Sequence, residues 1–69
     1  MKIISLTSVG EHLSHAFGQE PSDAMKIIWF LRRHGNSASD DSLKEYVVSG
    51  TAYAVAMTKL RRAGAVTEG

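Results

Sequence analysis

Residues 51–66 read TAYAVAMTKLRRAGAV, and their spacing decides the fold expected for the whole chain. The apolar residues recur at i, i+3, i+4 and i+7, as on one buried stripe of a helix: Tyr53, Ala56, Met57 and Leu60. Arg61 and Arg62 fall in the last turn, where positive charge complements the helix dipole, and Gly64 follows at the position of a left-handed cap. The stretch therefore predicts a helix with a defined buried face and a defined end.

Length and composition predict one small domain, residues 1–69. The chain has no cysteine, which excludes a disulfide scaffold and any thiolate zinc site. No apolar run approaches the about 18 residues of a membrane span, and the N-terminus lacks a signal-peptide pattern. We therefore expect a cytoplasmic protein with no membrane contact, and a domain this small leaves room for a partner subunit.

The net charge of +1 gives no case for nucleic-acid binding by itself, but the basic residues are unevenly placed. Six of the eight fall on two segments with a net positive charge: Lys26, Arg32 and Arg33 on the first, and Lys59, Arg61 and Arg62 on the second. These segments either converge on one face or form two separate solvated helix ends.

The N-terminal segment, Met1 to Leu6, is rich in β-branched residues and reads as a short strand or an extended arm. The other strand-like piece is Ala65 to Thr67, and we expect the two ends to pair. Since every remaining pattern is helical, the predicted class is mainly α, a four-helix domain with a short N-terminal strand.

The first helix is capped by Thr7 or Ser8, with Glu11 placed as in a capping box. It runs to about Phe17 on an apolar stripe: Val9, Leu13, Ala16 and Phe17. His12 and His15 are three residues apart on this helix, but a lone pair lacks the third and fourth ligands of a zinc site. We therefore interpret them as polar surface residues and predict no metal.

Ser22 or Asp23 caps the second helix, which continues to Gly35. Its core stripe is Ala24, Ile27, Ile28 and Leu31. Met25, Trp29 and Phe30 widen that stripe, so the helix is central or meets a partner. Trp29 and Met25 are the candidate interface residues; the alternative is that Trp29 covers the first helix within the monomer.

Residues 35–39, GNSAS, form a loop by composition, after which Ser39 or Asp40 caps a short helix with an apolar stripe of Leu43, Tyr46 and Val47. Capping also explains Asp40 and Asp41, and no companion base, nucleophile or phosphate loop accompanies them. We therefore predict neither an enzyme nor a cofactor.

The order of these elements is a helix (IIWFLRRHG), a polar loop, a short helix (DDSLKEYVV), a tight turn (SG) and a second helix (TAYAVAMTKLRRAG). It resembles the winged helix-turn-helix of bacterial and phage regulators. That family closes the motif with a leucine, two or three polar residues, Ala-Gly and an apolar pair, a pattern that residues 60–66 match. The resemblance covers about residues 23–66, places the helix-turn-helix at about 40–63, and leaves the wing short or absent.

The resemblance implies a DNA-binding regulator of phage, plasmid or bacterial type, with the last helix in the major groove of double-stranded DNA. The residues it assigns to outward positions of that helix are Thr51, Ala52, Val55, Thr58, Lys59 and Arg62. Backbone contacts would come from Arg32, Arg33 and Lys26 on the second helix. A dimer is expected, because one helix reads few base pairs. The rival hypothesis is a protein-interaction domain on the same scaffold.

Overall fold

The N-terminal strand β1, Ile3–Leu6, lies at the centre of a three-stranded antiparallel sheet with the order β2-β1-β3. The computed structural model describes residues 2–13 and 22–69. Within them β2 is Ser37–Ser39 and β3 is Val66–Glu68, and the helices are α1 (Ser8–Leu13), α2 (Asp23–Arg33), α3 (Asp40–Tyr46) and α4 (Gly50–Arg62). Ile4 of β1 is fully buried, whereas its neighbour Ile3 is 39% exposed. The alternation places one face of the sheet against the helical core.

The mainly α class predicted from the sequence is wrong, because the described residues form a small α/β domain with a three-stranded sheet. The polar segment GNSAS was predicted as a loop, but its last three residues form β2. Ala38 pairs with Ile4 and Ser39 with Ile3. Pairing with β1 therefore makes this segment a strand, although its own composition does not favour one. The pairing predicted between the two chain ends is present, with Leu6 opposite Val66.

Helix α1 is held at its N-terminus by Thr7, one of the two predicted caps. The Thr7 hydroxyl accepts a hydrogen bond from the Gly10 amide at 3.1 Å and donates one to the Gly64 carbonyl at 2.6 Å. The Thr7 amide also donates to the Ala65 carbonyl at 2.9 Å. One residue thus caps α1 and fastens it to the segment that follows α4.

The predicted apolar stripe of the first helix is wrong at Val9, which is 46% exposed. Among residues 8–12, whose burial the structure describes, Gly10 is the buried one, and the prediction for Leu13 lies outside that range. The capping box predicted for Ser8 and Glu11 is not formed, because Ser8 is the first residue of α1 and the Glu11 amide donates to the Thr7 carbonyl at 3.0 Å. The Glu11 carboxylate accepts from the side-chain amide of Asn36, also at 3.0 Å. The predictions for His15, Ala16, Phe17 and the end of this helix lie outside the described residues.

Helix α2 begins where the sequence predicted, with the Ser22 hydroxyl accepting from the Met25 amide at 3.2 Å. It ends at Arg33, and the Asn36 amide donates back to the Leu31 carbonyl at 2.8 Å. The predicted core stripe is confirmed, because all four of its members are buried: Ala24, Ile27, Ile28 and Leu31. Burial of a leucine or isoleucine side chain contributes about 1.5–3 kcal/mol relative to leaving it exposed.

Helix α4 packs against α2 through the stripe that its periodicity predicted: Tyr53, Ala56, Met57 and Leu60 are all buried. Its end is also confirmed. Gly64 has a φ of 72°, which is in the left-handed region, and donates its amide to Arg61 at 3.0 Å. The Ala65 amide reaches back to the Leu60 carbonyl at 2.9 Å, which completes the two bonds of a Schellman cap.

Replacing Gly10 by alanine tests the contact between α1 and the segment after α4. A Cβ at this position would lie less than 3.0 Å from the Ala65 carbonyl oxygen, a backbone atom. The clash outweighs the roughly 1 kcal/mol that alanine gains over glycine inside a helix. We expect Gly10→Ala to lower the free energy of unfolding by about 1–3 kcal/mol, as overpacking does, in urea denaturation followed by circular dichroism.

The matched control is Ser8→Ala, an exposed site in the same helix, for which we expect a change within about 0.5 kcal/mol. Equal or higher stability of Gly10→Ala would show that α1 does not press on Ala65.

Candidate functional site

The outward face of α4 is formed by the six residues that the resemblance selected, and all of them are exposed: Thr51, Ala52, Val55, Thr58, Lys59 and Arg62. They are exposed because the opposite stripe of the helix is buried against α2 and the sheet. Val55 is 51% exposed, a large fraction for an aliphatic side chain. We call these six residues the α4 face.

The α4 face is small and apolar near its start and basic at its end. Lys59 and Arg62 make no ion pair with any residue in the described ranges, whereas Arg61 on another side of the helix does. The Arg61 Nε lies 3.1 Å from the Glu68 carboxylate. Two cations of the last turn are therefore free to meet a ligand, and the third is committed to β3.

The hydroxyls of the α4 face differ in what they offer. The Thr58 hydroxyl donates to the Ala54 carbonyl of its own helix at 2.9 Å, so it has lone pairs to offer but no free proton. The Thr51 hydroxyl has no hydrogen bond among the described residues and can both donate and accept. Direct polar contacts from this face to a ligand thus depend on Thr51 and on the two cations.

A groove of about 720 Å³ separates the α4 face from the first turn of α2. On one wall it has Ser22, Asp23 and Ala24, and on the other Ala52, Val55 and Lys59 are among the lining residues. The groove is largely apolar, and Asp23 adds a negative charge to its α2 wall. The residues of the α2 wall were not predicted as part of the site. Ser22 and Asp23 were interpreted as caps of α2, and capping by itself explains a serine and an aspartate at these positions.

The predicted basic residues of α2 lie elsewhere. Lys26 and Arg33 line a groove with Tyr46 and Val47 of the α3 end, and Arg32 lines another with Trp29. Neither groove shares a residue with those along the α4 face. The two basic segments of the sequence therefore lie in separate grooves.

The predicted interface residues are split by the fold. Trp29 is 42% exposed, whereas Met25 is 3% exposed and belongs to the core. Trp29 and Met25 are four residues apart on α2, but only Met25 packs into the hydrophobic core. The exposed aromatic companion of Trp29 is Tyr46, which is 70% exposed and was predicted as part of a buried stripe. The predicted burial of Tyr46 is therefore wrong. The buried residues here are Leu43 of α3 and Val48 beyond the end of that helix.

A polar contact fixes α3 against α4. The Tyr53 hydroxyl donates a hydrogen bond to the Asp40 carboxylate, and the other carboxylate oxygen lies 2.9 Å from the Lys44 Nζ. The hydrogen bond from Tyr53, followed by the one from Lys44, lowers the pKa of Asp40 below its ordinary value. Burial, together with the bond to Asp40, raises the pKa of Tyr53. Asp40 therefore stays ionised and Tyr53 protonated at neutral pH.

Sequence reasoning missed this contact. Asp40 was predicted only as an alternative cap and a favourable charge at the start of α3. Ser39, the other predicted cap, is the residue that caps α3, by accepting from the Ser42 amide at 3.1 Å. Thirteen residues separate Asp40 from Tyr53, and no local pattern links them. Their bond joins the first residue of α3 to the first turns of α4, so it helps to set the angle at which the α4 face is presented.

The described residues show neither a metal-binding cluster nor a membrane-spanning helix. They contain no cluster of three or more histidine, cysteine or acidic residues that could hold a metal ion. In residues 2–13 and 22–69 no helix combines the length and the apolar character that crossing a membrane requires. The chain matches no protein-family model, and neither curated proteins nor solved structures give a match.

Replacing Tyr53 by phenylalanine tests the link between α3 and α4. The change removes one hydrogen bond to a charged acceptor, so we expect a loss of about 1.5–3 kcal/mol of unfolding free energy at pH 7. Because the folded-state pKa of Asp40 is lowered, its contribution is present above the ordinary value of 3.8 and is lost as pH falls through the folded-state value. The difference between wild type and Tyr53→Phe should therefore shrink below pH 4.

Urea denaturation at a series of pH values measures this difference. Tyr46→Phe is the control, because it removes the same atom from an exposed side chain that has no hydrogen bond among the described residues. A Tyr53→Phe penalty that is the same at pH 7 and pH 3 would contradict the role given to ionised Asp40.

Proposed function

We propose that the protein binds double-stranded DNA and that the α4 face enters the major groove. The observation that carries the proposal is the exposed α4 face with two unpaired cations, Lys59 and Arg62, on a helix that contains no acidic residue. A B-DNA major groove about 12 Å wide admits one α-helix. The short connection between α3 and α4, residues 47–49, supports a helix-turn-helix arrangement.

The division of the face assigns a role to each part. The small and aliphatic side chains at its start, Ala52 and Val55, suit the methyl groups of thymine, and Thr51 suits a base edge or a phosphate. Lys59 and Arg62 at its end suit phosphate oxygens or guanine. The backbone part of the binding energy then comes mainly from one end of the helix.

The proposal does not use the basic residues of α2. Arg32 and Arg33 line grooves that lie apart from the α4 face, so they are not included in its contact set. It also gives no role to a wing, because β3 pairs with β1 and backbone bonds of 2.9 Å join Ile3 and Gly69 in both directions. Binding as a dimer to two half-sites would compensate for this small contact area.

Loss of either free cation should weaken DNA binding. We expect Lys59→Ala and Arg62→Ala each to cost on the order of 1 kcal/mol of binding free energy, and each to reduce the salt slope by about one if the residue contacts phosphate. Fluorescence anisotropy with a labelled duplex at several salt concentrations measures both quantities. Arg61→Ala is the matched control, since it removes the same charge from the same turn at a residue paired with Glu68.

Two results would contradict the proposal. One is an absence of binding to pooled genomic duplexes at low salt. The other is an equal loss of affinity in Arg61→Ala and Arg62→Ala, which would indicate that overall charge, rather than the α4 face, governs binding.

A protein-interaction domain is the second candidate function, and the exposed apolar side chains favour it. Val55 is 51% exposed and borders the largely apolar groove beside α2, a surface suited to an apolar partner segment. In this alternative, Val55→Asp abolishes capture of a protein partner, while Lys59→Ala and Arg62→Ala have little effect.

A further inference from the structure

The surface between α2 and the end of α3 combines exposed aromatic rings with unpaired cations, and the α4 face does not include it. We define the α2–α3 patch by six residues that line one groove of about 350 Å³: Lys26, Trp29, Phe30, Arg33, Tyr46 and Val47. Trp29 and Tyr46 are 42% and 70% exposed. Two large aromatic side chains left this open on one surface are typical of an interaction site.

The floor of the groove is apolar and rests on the hydrophobic core. Phe30 and Val47 are half-buried and pack against the hydrophobic core. The Phe30 ring also stacks on His34, with ring centroids 4.2 Å apart and 27° between the planes. A volume of about 350 Å³ between such walls is enough for one large apolar side chain.

The rim of the groove is basic. Lys26 and Arg33 are exposed and form no ion pair within the described part of the chain, and no acidic residue lines the groove. The two cations lie seven residues apart on α2, which is about two helical turns, so they flank the aromatic centre along one side of the helix.

A second groove, of about 590 Å³, continues from the first. It shares Phe30 and Tyr46 with the α2–α3 patch, His34 lines both grooves, and the second groove extends to the serines of β2 and α3. The Ser39 hydroxyl donates to that of Ser42 at 2.8 Å, whereas Ser37 at the edge of the sheet is exposed. A ligand longer than one side chain therefore has a continuous path across Tyr46.

We propose that the α2–α3 patch binds a short acidic peptide segment of a partner protein, with one large apolar side chain of that segment in the groove. The acidic residues of the segment pair with Lys26 and Arg33, and its apolar side chain packs between Trp29 and Tyr46. Charge complementarity identifies the ligand as anionic, and the apolar floor requires a side chain that can leave water.

The same charges argue against a second copy of this chain at the patch. In a two-fold symmetric dimer the patch meets itself, so Lys26 and Arg33 would face the same cations of the partner without an acid between them. The patch also differs from a nucleic-acid platform. Phe30 already stacks on His34, and the floor beside it is closed by the aliphatic Val47 rather than by groups that hydrogen-bond bases.

The test uses intrinsic fluorescence, because Trp29 is the only tryptophan in the chain. The probe is a synthetic peptide of alternating aspartate and glutamate with a central Leu-Phe pair. We expect saturable binding with a blue shift of the Trp29 emission, because the apolar side chain displaces water from the ring. Arg33→Ala and Tyr46→Ala should each weaken binding about tenfold, and both positions are exposed, so the fold is retained.

Two controls separate this site from the α4 face. Arg62→Ala removes the same charge as Arg33→Ala and should leave peptide affinity within about twofold of wild type. A peptide of equal charge with Ser-Ser in place of Leu-Phe should bind at least about tenfold more weakly. The result is independent of the proposed DNA binding, because Arg33→Ala is expected to leave duplex affinity unchanged.

Three outcomes would overturn the proposal. Equal binding of the Ser-Ser peptide would reduce the patch to a nonspecific cationic surface. Tighter binding of single-stranded oligothymidylate than of the peptide, abolished by Tyr46→Ala, would make it a nucleic-acid site. A dimer in light scattering that dissociates in Tyr46→Ala and excludes the peptide would make it a self-association surface.

Discussion

Pairing of β1 with two strands that are distant in sequence is the constraint on which the rest of the structure depends. Strand β2 ends at Ser39 immediately before α3, and β3 begins at Val66, four residues after α4 ends. Both strands hydrogen-bond to β1, so the start and the end of the α3–α4 pair are anchored to the same strand. The three-stranded sheet therefore fixes the positions at which the α3–α4 pair begins and ends.

Further contacts join the end of α4 to the sheet and to the segment that follows β1. Thr7 follows β1 directly and bonds to Gly64 and Ala65, and Arg61 pairs with Glu68 of β3. At the opposite end of α4, Tyr53 bonds to Asp40. Because both ends of α4 are fixed, the outward orientation of its six exposed residues is a property of the whole domain rather than of the helix alone.

Local periodicity predicted the parts of the fold that are decided by burial along a single helix. The stripes of α2 and α4, the Ser22 cap and the Gly64 cap follow from side chains within one or two turns of each other. The strand β2 was missed, because Ser-Ala-Ser has no strand signal without Ile3 and Ile4 beside it. Val9, in the first turn of α1, and Tyr46, the last residue of α3, were misassigned for a related reason, since spacing at the end of a helix fixes the buried side poorly.

The candidate surfaces were predictable to a lesser degree, because a site depends on what neighbouring elements contribute. The sequence identified the outward positions of α4 correctly as exposed, but it left open whether the two basic segments share a face. The resemblance added Arg33 and Lys26 as DNA-backbone contacts, whereas these residues lie beside Tyr46. Two basic segments on packed helices need not share a face, because each helix has its own exposed side. The four cations without an ion pair among the described residues therefore lie on two surfaces with two cations each, rather than together on one surface.

If DNA binds as proposed, Asp23 would bias through its charge how the duplex lies on the α4 face. It lines the groove between the α2 start and the first half of α4, where its charge repels phosphate, although the α2 dipole offsets part of that repulsion. Lys59 and Arg62, in contrast, attract phosphate at the other end of the face. In the proposed complex, base edges would lie near Ala52 and Val55 and a phosphate strand across the last turns, so the difference in charge between the two ends of the face would orient the helix in the groove.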